Sequence, residues 1–187
     1  QDYVYFNYPT EDEKAQIDAF RGEVRKVFQE MTADESFAAV AASRKGIMDP
    51  DQSADELLEK PAYLVSVLTF LEAKGIPYPK KWLKVLGIKR LPEFDISRLE
   101  QLLQGILFDD TGSYDADAGY ISGLIQSLKR RKCIERRRVS LCANESIEKL
   151  LTNSRGKLKS IREIAAAEYE SMGKGLNLLI LTDYRSE

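Results

Sequence analysis

The stretch PAYLVSVLTFLEAK, residues 61–74, carries a clear helical signal. Proline is tolerated in the first turn of a helix, where its missing N–H has no partner to lose, so the sequence predicts that a helix begins at Pro61. Apolar side chains recur within it at intervals of three and four and so share one face: Tyr63, Leu64, Val67, Leu68 and Leu71. The stretch therefore predicts a helix that buries this face in a core.

Outward from residues 61–74, the same spacing predicts helices along most of the chain. Thr10 and Glu13 form a capping box at the start of a helix of about five turns. Ser53 and Glu56 have the same spacing, but Pro61 follows closely, so only a short turn is expected there. Further helices are predicted after Asp34, around Trp82, after Asp95 or Ser97, over residues 116–132, after Asn144 and over residues 157–172. The ring of Trp82 is expected to be half-buried. The predicted fold class is mainly α, a bundle-like region of about seven to nine helices with short strands at both ends.

Two segments near the chain ends are predicted to be strands. The opening QDYVYFNYPT has β-type alternation rich in aromatic residues, and Pro9 ends it. The closing GLNLLILTDYRSE, residues 175–187, has the nearly unbroken apolar run of a strand covered on both faces. One such strand does not bury itself, so partner strands are expected outside these 187 residues. A short extended piece is also predicted within CIERRRVSL, residues 133–141.

The composition is that of a globular protein. The chain has 187 residues, of which 43% are hydrophobic and 31% charged. No apolar run approaches the roughly 20 residues of a membrane span, and the start lacks a signal-peptide pattern, so a cytoplasmic location is expected. Cys133 and Cys142 are interpreted as ordinary semi-buried thiols, because the chain has no histidine to complete the usual zinc site.

The sequence offers no catalytic, cofactor-binding or metal-binding residue. It contains no GxxxxGK[ST] phosphate loop, and MGKG at residues 172–175 is interpreted as a helix stop before a strand. The absence of histidine excludes the usual triads. The pair Asp109-Asp110 stands in DDTGS, which is typical of a turn. A small enzyme that uses only carboxylates is therefore the least favoured class.

One segment is strongly basic although the net charge is only −2. Residues 1–128 carry 14 Lys and Arg against 22 Asp and Glu, whereas residues 129–174 carry 13 against 6. The candidate nucleic-acid-binding residues lie in KRRKCIERRR: Lys129, Arg130, Arg131, Lys132, Arg136, Arg137 and Arg138. Phosphate contact is favoured, because such clusters release counterions from a nucleic-acid backbone. A solvated helix end and docking onto the acidic first part of the chain remain as alternatives.

Both ends of the chain resemble parts of one protein family. Ser154 and Lys157 precede a helix, a glycine turn and an apolar strand that ends in Thr182, Asp183 and Tyr184. This order resembles the entry into the second RecA-like lobe of a DEAD/DEAH-type superfamily-two helicase, including relatives among restriction-type translocases. QDYVYFNYPTEDE is similar to the exit from the first lobe. The family's phosphate loop, acidic magnesium-binding pair and late arginine motif are missing.

The resemblance implies three segments and a function. Residues 1–9 would be the exit from the first lobe, residues 10–153 a helical interlobe domain, and residues 154–187 the entry into the second lobe. The implied chain is a non-catalytic part of an ATP-dependent helicase or translocase, with ATP and Mg²⁺ bound by the parent protein. Expected partners are the missing lobes and nucleic acid, DNA before RNA, and no membrane. The alternative is a stand-alone α-helical protein-interaction module.

Overall fold

The computed structural model describes residues 9–152 and 155–179, except the side chain of Arg155. The described chain is mainly α-helical, which confirms the predicted fold class. Contacts divide it into two units. One unit comprises Gly22–Asn144, and the other comprises residues before Gly22 together with those from Glu145 onward.

Helices account for most of the described residues, and two short strands form the remaining regular structure. The helices are α1 (Glu11–Ala33), α2 (Glu35–Ala42), α3 (Pro50–Leu58), α4 (Pro61–Ala73), α5 (Lys81–Val85), α6 (Ile96–Gln104), α7 (Ala118–Arg130), α8 (Glu145–Thr152) and α9 (Arg155–Met172). A π-helical turn, Gly105–Asp109, continues α6, and 3-10 turns cover Thr111–Ser113 and Gly173–Gly175. Strands β1 (Ile134–Glu135) and β2 (Arg138–Val139) pair antiparallel. Within the described ranges, no helix has both the length and the apolar character needed to cross a membrane.

Side-chain caps start the helices where the sequence predicts them. The Thr10 N–H donates to Glu13 Oε2 at 2.7 Å, and the Glu13 N–H donates to Thr10 Oγ1 at 3.3 Å, so the capping box is confirmed. Asp95, rather than Ser97, caps α6 by accepting the Arg98 N–H at 2.9 Å. These local bonds satisfy N–H groups that a helix start leaves free.

Two predictions between α2 and α5 are wrong. The short turn expected before Pro61 is the full helix α3, because Asp49 caps it and a proline occupies its first position. Trp82 is fully buried rather than half-buried, with 0% of its surface exposed. Its indole Nε1 donates to the Ile47 carbonyl at 2.7 Å, which satisfies the one polar group of the ring.

The core of the unit Gly22–Asn144 lies around α4 and α6. Five α4 side chains are at most 1% exposed: Leu64, Val67, Leu68, Phe70 and Leu71. Leu99, Leu102 and Leu103 of α6 are fully buried as well. Phe70 meets Phe37 and Phe94 edge-on, with ring centres 5.2 and 5.1 Å apart. Residues 61–74 thus form the central helix of this unit.

The predicted terminal strands fall largely outside the described residues. Residues 1–8 and 180–187 are not described, so the opening strand and most of the closing strand lie outside the described ranges. Residues 176–179 are not in a strand, and the side chain of Leu179 is 80% exposed. The described strands lie instead within residues 133–141, where a short extended piece is predicted.

Candidate nucleic-acid interface

The basic segment begins at the C-terminal end of α7. Lys129 and Arg130 stand in its last turn. The helix then closes in a Schellman motif, in which the Lys132 N–H donates to the Lys129 carbonyl at 3.0 Å and the Cys133 N–H donates to the Leu128 carbonyl at 2.9 Å. Cys133 and Leu128, the two positions whose hydrophobic contact usually accompanies this motif, are both buried. Cys133 is thus buried and Cys142 exposed, so the prediction that both are semi-buried is wrong.

Two cations occupy backbone positions that favour glycine. Lys132 has φ of 57° and Arg136 has φ of 55°, and these are the only non-glycine residues with positive φ in the described part of the chain. The left-handed region costs an L-residue about 1–2 kcal/mol. Lys132 follows the helix cap, and Arg136 is the first residue of the turn between β1 and β2. A lysine and an arginine therefore stand where local energetics prefer glycine.

Side chains of α6 hold the β1–β2 hairpin in place. Gln104 Nε2 donates to the Arg137 carbonyl at 3.2 Å, while its Oε1 accepts the Val139 N–H at 2.8 Å. Glu100 Oε2 accepts the N–H of Leu141 at 2.6 Å and the next N–H at 2.8 Å. The turn that carries Arg136 is consequently anchored to α6, whose leucines are buried.

Two of the seven candidate cations are set apart from the rest. Arg131 forms an ion pair with Glu30 of α1, with Nη1 to Oε2 at 2.8 Å and a hydrogen bond from Nη2 to Oε1 at 3.0 Å. For Arg131 alone, this ion pair agrees with the alternative in which the basic segment docks onto the acidic first part of the chain. Arg138 lies on β2 opposite Glu135 and lines a cavity that carries several carboxylates.

The other five candidate cations form the basic cluster: Lys129, Arg130, Lys132, Arg136 and Arg137, all of them exposed. Arg137 lies over the ring of Phe108, with its guanidinium carbon 5.8 Å from the ring centre. Among the described residues, no member of the basic cluster forms an ion pair within 4.0 Å. Their charges are therefore open to an external anion.

A second polar group lies in the same unit, and sequence reasoning missed it. Asp110 Oδ2 accepts hydrogen bonds from Arg44 Nε at 3.0 Å and from the Tyr63 hydroxyl at 2.9 Å. Arg44 also pairs with Glu56 at 2.7 Å, and the hydroxyls of Tyr63 and Tyr114 are hydrogen bonded. The side chain of Arg44 is only 4% exposed. We call these five residues the Arg44 network.

Hydrogen bonding keeps the buried acid of this network ionised. Burial opposes the charge of Asp110, but hydrogen bonds from Ser113, Tyr63 and Arg44 outweigh it and lower its pKa below the ordinary value of 3.8. Burial, followed by the neighbouring Tyr114 and Asp110, raises the pKa of Tyr63. Both tyrosines stay protonated donors, so the network has the character of a structural ion pair rather than an acid–base pair.

The Arg44 network borders a cavity of about 660 Å³ with mixed charge. Its polar walls include Arg44, Glu56, Glu100, Asp109, Asp110 and Arg138. Carboxylates outnumber cations among the lining residues, which disfavours a phosphate backbone inside. In the described ranges, no group of three or more Cys, Asp or Glu residues could hold a metal ion.

No family model, curated protein or solved structure matches this chain. Inference about function therefore rests on the chain's own residues, and among the described ones the basic cluster presents five exposed cations without an ion pair.

Proposed function

We propose that this chain is a non-catalytic helical region of an ATP-dependent nucleic-acid helicase or translocase, located between its RecA-like lobes in the cytoplasm. In this proposal, ATP and Mg²⁺ bind to the parent's lobes, and the basic cluster guides nucleic acid, DNA before RNA. The resemblance of residues 154–187 to a lobe entry supports the first part. The single observation that supports nucleic-acid binding is the basic cluster.

The placement of Lys132 and Arg136 supports binding over a merely solvated helix end. A solvated helix end needs no cation at a left-handed position, and glycine at Lys132 would close the Schellman motif with less strain. Backbone strain of this kind is found where another requirement holds the residue in place. An anion that pairs with both side chains is such a requirement.

Phosphate contact needs no base stacking, in keeping with the absence of aromatic residues within the sequence of residues 129–138. Each cation that neutralises a phosphate releases condensed counterions, so binding gains free energy without base contacts. The hydrogen bonds between Gln104 and the hairpin backbone hold Arg136 and Arg137 in position for phosphate contacts. We expect weak, sequence-independent binding that decreases steeply with salt.

The test measures binding of a fluorescent DNA 20-mer, single-stranded and duplex, between about 50 and 200 mM salt. Replacing Arg130, Arg136 and Arg137 by glutamine should weaken binding about tenfold or more, and should reduce the salt slope by up to about three. The control replaces three exposed cations outside the basic segment by glutamine: Lys84, Lys89 and Arg90. Equal losses in both variants, or binding indifferent to salt, would remove the nucleic-acid claim.

A second experiment separates strain from charge. Lys132→Gly and Arg136→Gly remove two cations and also relieve left-handed strain, so the folded state should keep its stability or gain up to about 1 kcal/mol. DNA affinity should fall in the same variants. Lost affinity together with lost stability would indicate that these residues serve the fold.

An α-helical protein-interaction module remains the second candidate. The observation that favours it is the exposed apolar face of α9, where Leu158 is 66% and Met172 is 54% exposed. Contiguous exposed apolar surfaces are typical of protein–protein interaction sites. Loss of partner binding on changing α9, with DNA binding absent, would select this candidate.

A further inference from the structure

Folding brings an aromatic ring against the basic cluster. Phe108 belongs to the π-helical turn Gly105–Asp109 that continues α6. This turn buries the side chains of Ile106 and Leu107, whereas that of Phe108 is only partly buried. The guanidinium carbon of Arg137 lies 5.8 Å from the centre of the Phe108 ring. An aromatic group therefore stands beside the exposed cations, although the basic segment itself contains none.

One side chain connects the π-helical turn to the hairpin. Gln104 Nε2 donates to Asp109 Oδ1 at 3.0 Å and to the Arg137 carbonyl at 3.2 Å. The turn that carries Phe108 and the hairpin that carries Arg137 are thus held in one arrangement. π-Helical turns are frequent at functional sites, and a site that is already arranged loses less conformational entropy when a ligand binds.

The contact between Arg137 and the ring is weaker than the contact that a nucleic-acid base would make there. An exposed cation–π contact changes an equilibrium constant by a factor of about two to five. Stacking of a base on an aromatic side chain changes it by about fivefold to one hundredfold. A base would therefore displace Arg137 from the ring of Phe108, and the released guanidinium would be free to pair with the adjacent phosphate.

We propose that Phe108 is a base-stacking residue of the nucleic-acid interface, and that Arg137 moves from its ring to a neighbouring phosphate when a base binds. This inference rests on the proposed function, because it takes nucleic acid as the ligand of the basic cluster. Bases of a duplex are stacked and paired inside the helix, so their faces are not available without unstacking. The ring therefore favours single-stranded over duplex nucleic acid, whereas the cations alone bind both.

Two single strands of equal charge separate stacking from phosphate contact. A thymidine 20-mer and a 20-mer of abasic sites carry the same phosphates, but only the first has bases. Phe108→Leu, which keeps an apolar side chain, should weaken binding of the thymidine strand about fivefold or more and leave binding of the abasic strand and of duplex DNA unchanged. The salt slope should stay the same, because no phosphate contact is lost. Tyr169→Leu, at an exposed aromatic of the other unit, is the control and should change neither affinity.

Tryptophan fluorescence gives a second, direct measurement of stacking. The chain has one tryptophan, Trp82, which is fully buried. Phe108→Trp keeps an aromatic ring at the interface, so affinity for the thymidine strand should be retained, and stacked bases should quench the added fluorescence. The abasic strand should not quench it. The unchanged chain, with only the buried Trp82, should show no quenching by either strand.

The outcomes distinguish this inference from the proposed function. Loss of affinity for the thymidine strand alone in Phe108→Leu, with retained affinity and base-dependent quenching in Phe108→Trp, is the result expected. Equal affinity of the unchanged chain for the two strands, or an equal loss for both in Phe108→Leu, overturns base stacking and leaves phosphate contact standing. The absence of salt-dependent binding to every strand overturns the proposed function together with this inference. Circular dichroism and urea unfolding check that each variant remains folded.

Discussion

The Arg44 network allows a sharp prediction about stability. Arg44, which follows the end of α2, pairs with two carboxylates of different exposure: the side chain of Asp110 is 18% exposed and that of Glu56 is 65% exposed. The ion-pair distances, 3.0 and 2.7 Å, would suggest equal importance for the two partners. Burial instead indicates that the Asp110 pair contributes more than the Glu56 pair, because solvent screens an exposed pair.

The expected losses in free energy of unfolding follow from these exposures. Glu56→Gln removes an exposed pair and should cost less than about 1 kcal/mol. Asp110→Asn weakens a charge-assisted bond to a buried guanidinium and should cost about 1.5–3 kcal/mol. Arg44→Ala leaves Asp110 without its cation and also removes a buried stem, so about 3–5 kcal/mol is expected.

Urea unfolding followed by circular dichroism measures all three variants and the Arg44→Ala, Asp110→Asn double variant. The double-variant cycle should give a coupling of about 1–3 kcal/mol between the two sites. Arg90→Ala, which removes an exposed arginine, is the control and should change stability by less than about 0.5 kcal/mol. If Asp110→Asn costs no more than Glu56→Gln, burial does not rank these pairs and the reasoning fails.

Three further predictions concern the same unit. Gly105→Ala should destabilise it by at least about 1–3 kcal/mol in urea unfolding, because a Cβ would lie 2.2 Å from the Tyr63 ring, whereas Gly123→Ala has open space and should not. The pKa of Asp110 is lowered on folding, so its contribution to the free energy of unfolding is present above pH 3.8 and is lost as pH falls through the lower folded value. The stability difference between the unchanged chain and Asp110→Asn should therefore shrink in acid. Cys142 is exposed and Cys133 is buried with a pKa of about 11, so a thiol reagent should label Cys142 first, and equal rates would contradict the burial.

Local signals predicted the helices because helix formation depends on near neighbours. The Thr10–Glu13 capping box, the cap at Asp95 and the proline start of α4 each involve residues at most a few positions apart. The sequence predicts only a short turn at α3 because Pro61 indicates a break, although Asp49 supplies a cap further upstream. The basic segment stands out in the sequence as a run of cations, and the surrounding apolar residues predict its extended middle.

The arrangement of the candidate site was not predictable in the same way. Arg131 pairs with Glu30, 101 positions away, and Arg44 bonds to Asp110, 66 positions away. No local pattern marks either partner. In the sequence, Gln104 is an ordinary polar position of α6. It nevertheless anchors the hairpin through hydrogen bonds to the backbone of Arg137 and Val139, 33 and 35 positions away.

The sequence alone determined most of the helical segments and where positive charge is concentrated, because both properties are carried by residues close together in the chain. Only the tertiary structure decided which cations stay open to a ligand, since that depends on carboxylates that folding brings near from distant positions. It also decided that α4 and α6 share the core while the apolar face of α9 remains exposed. Periodicity defines an apolar face, but packing determines what covers that face.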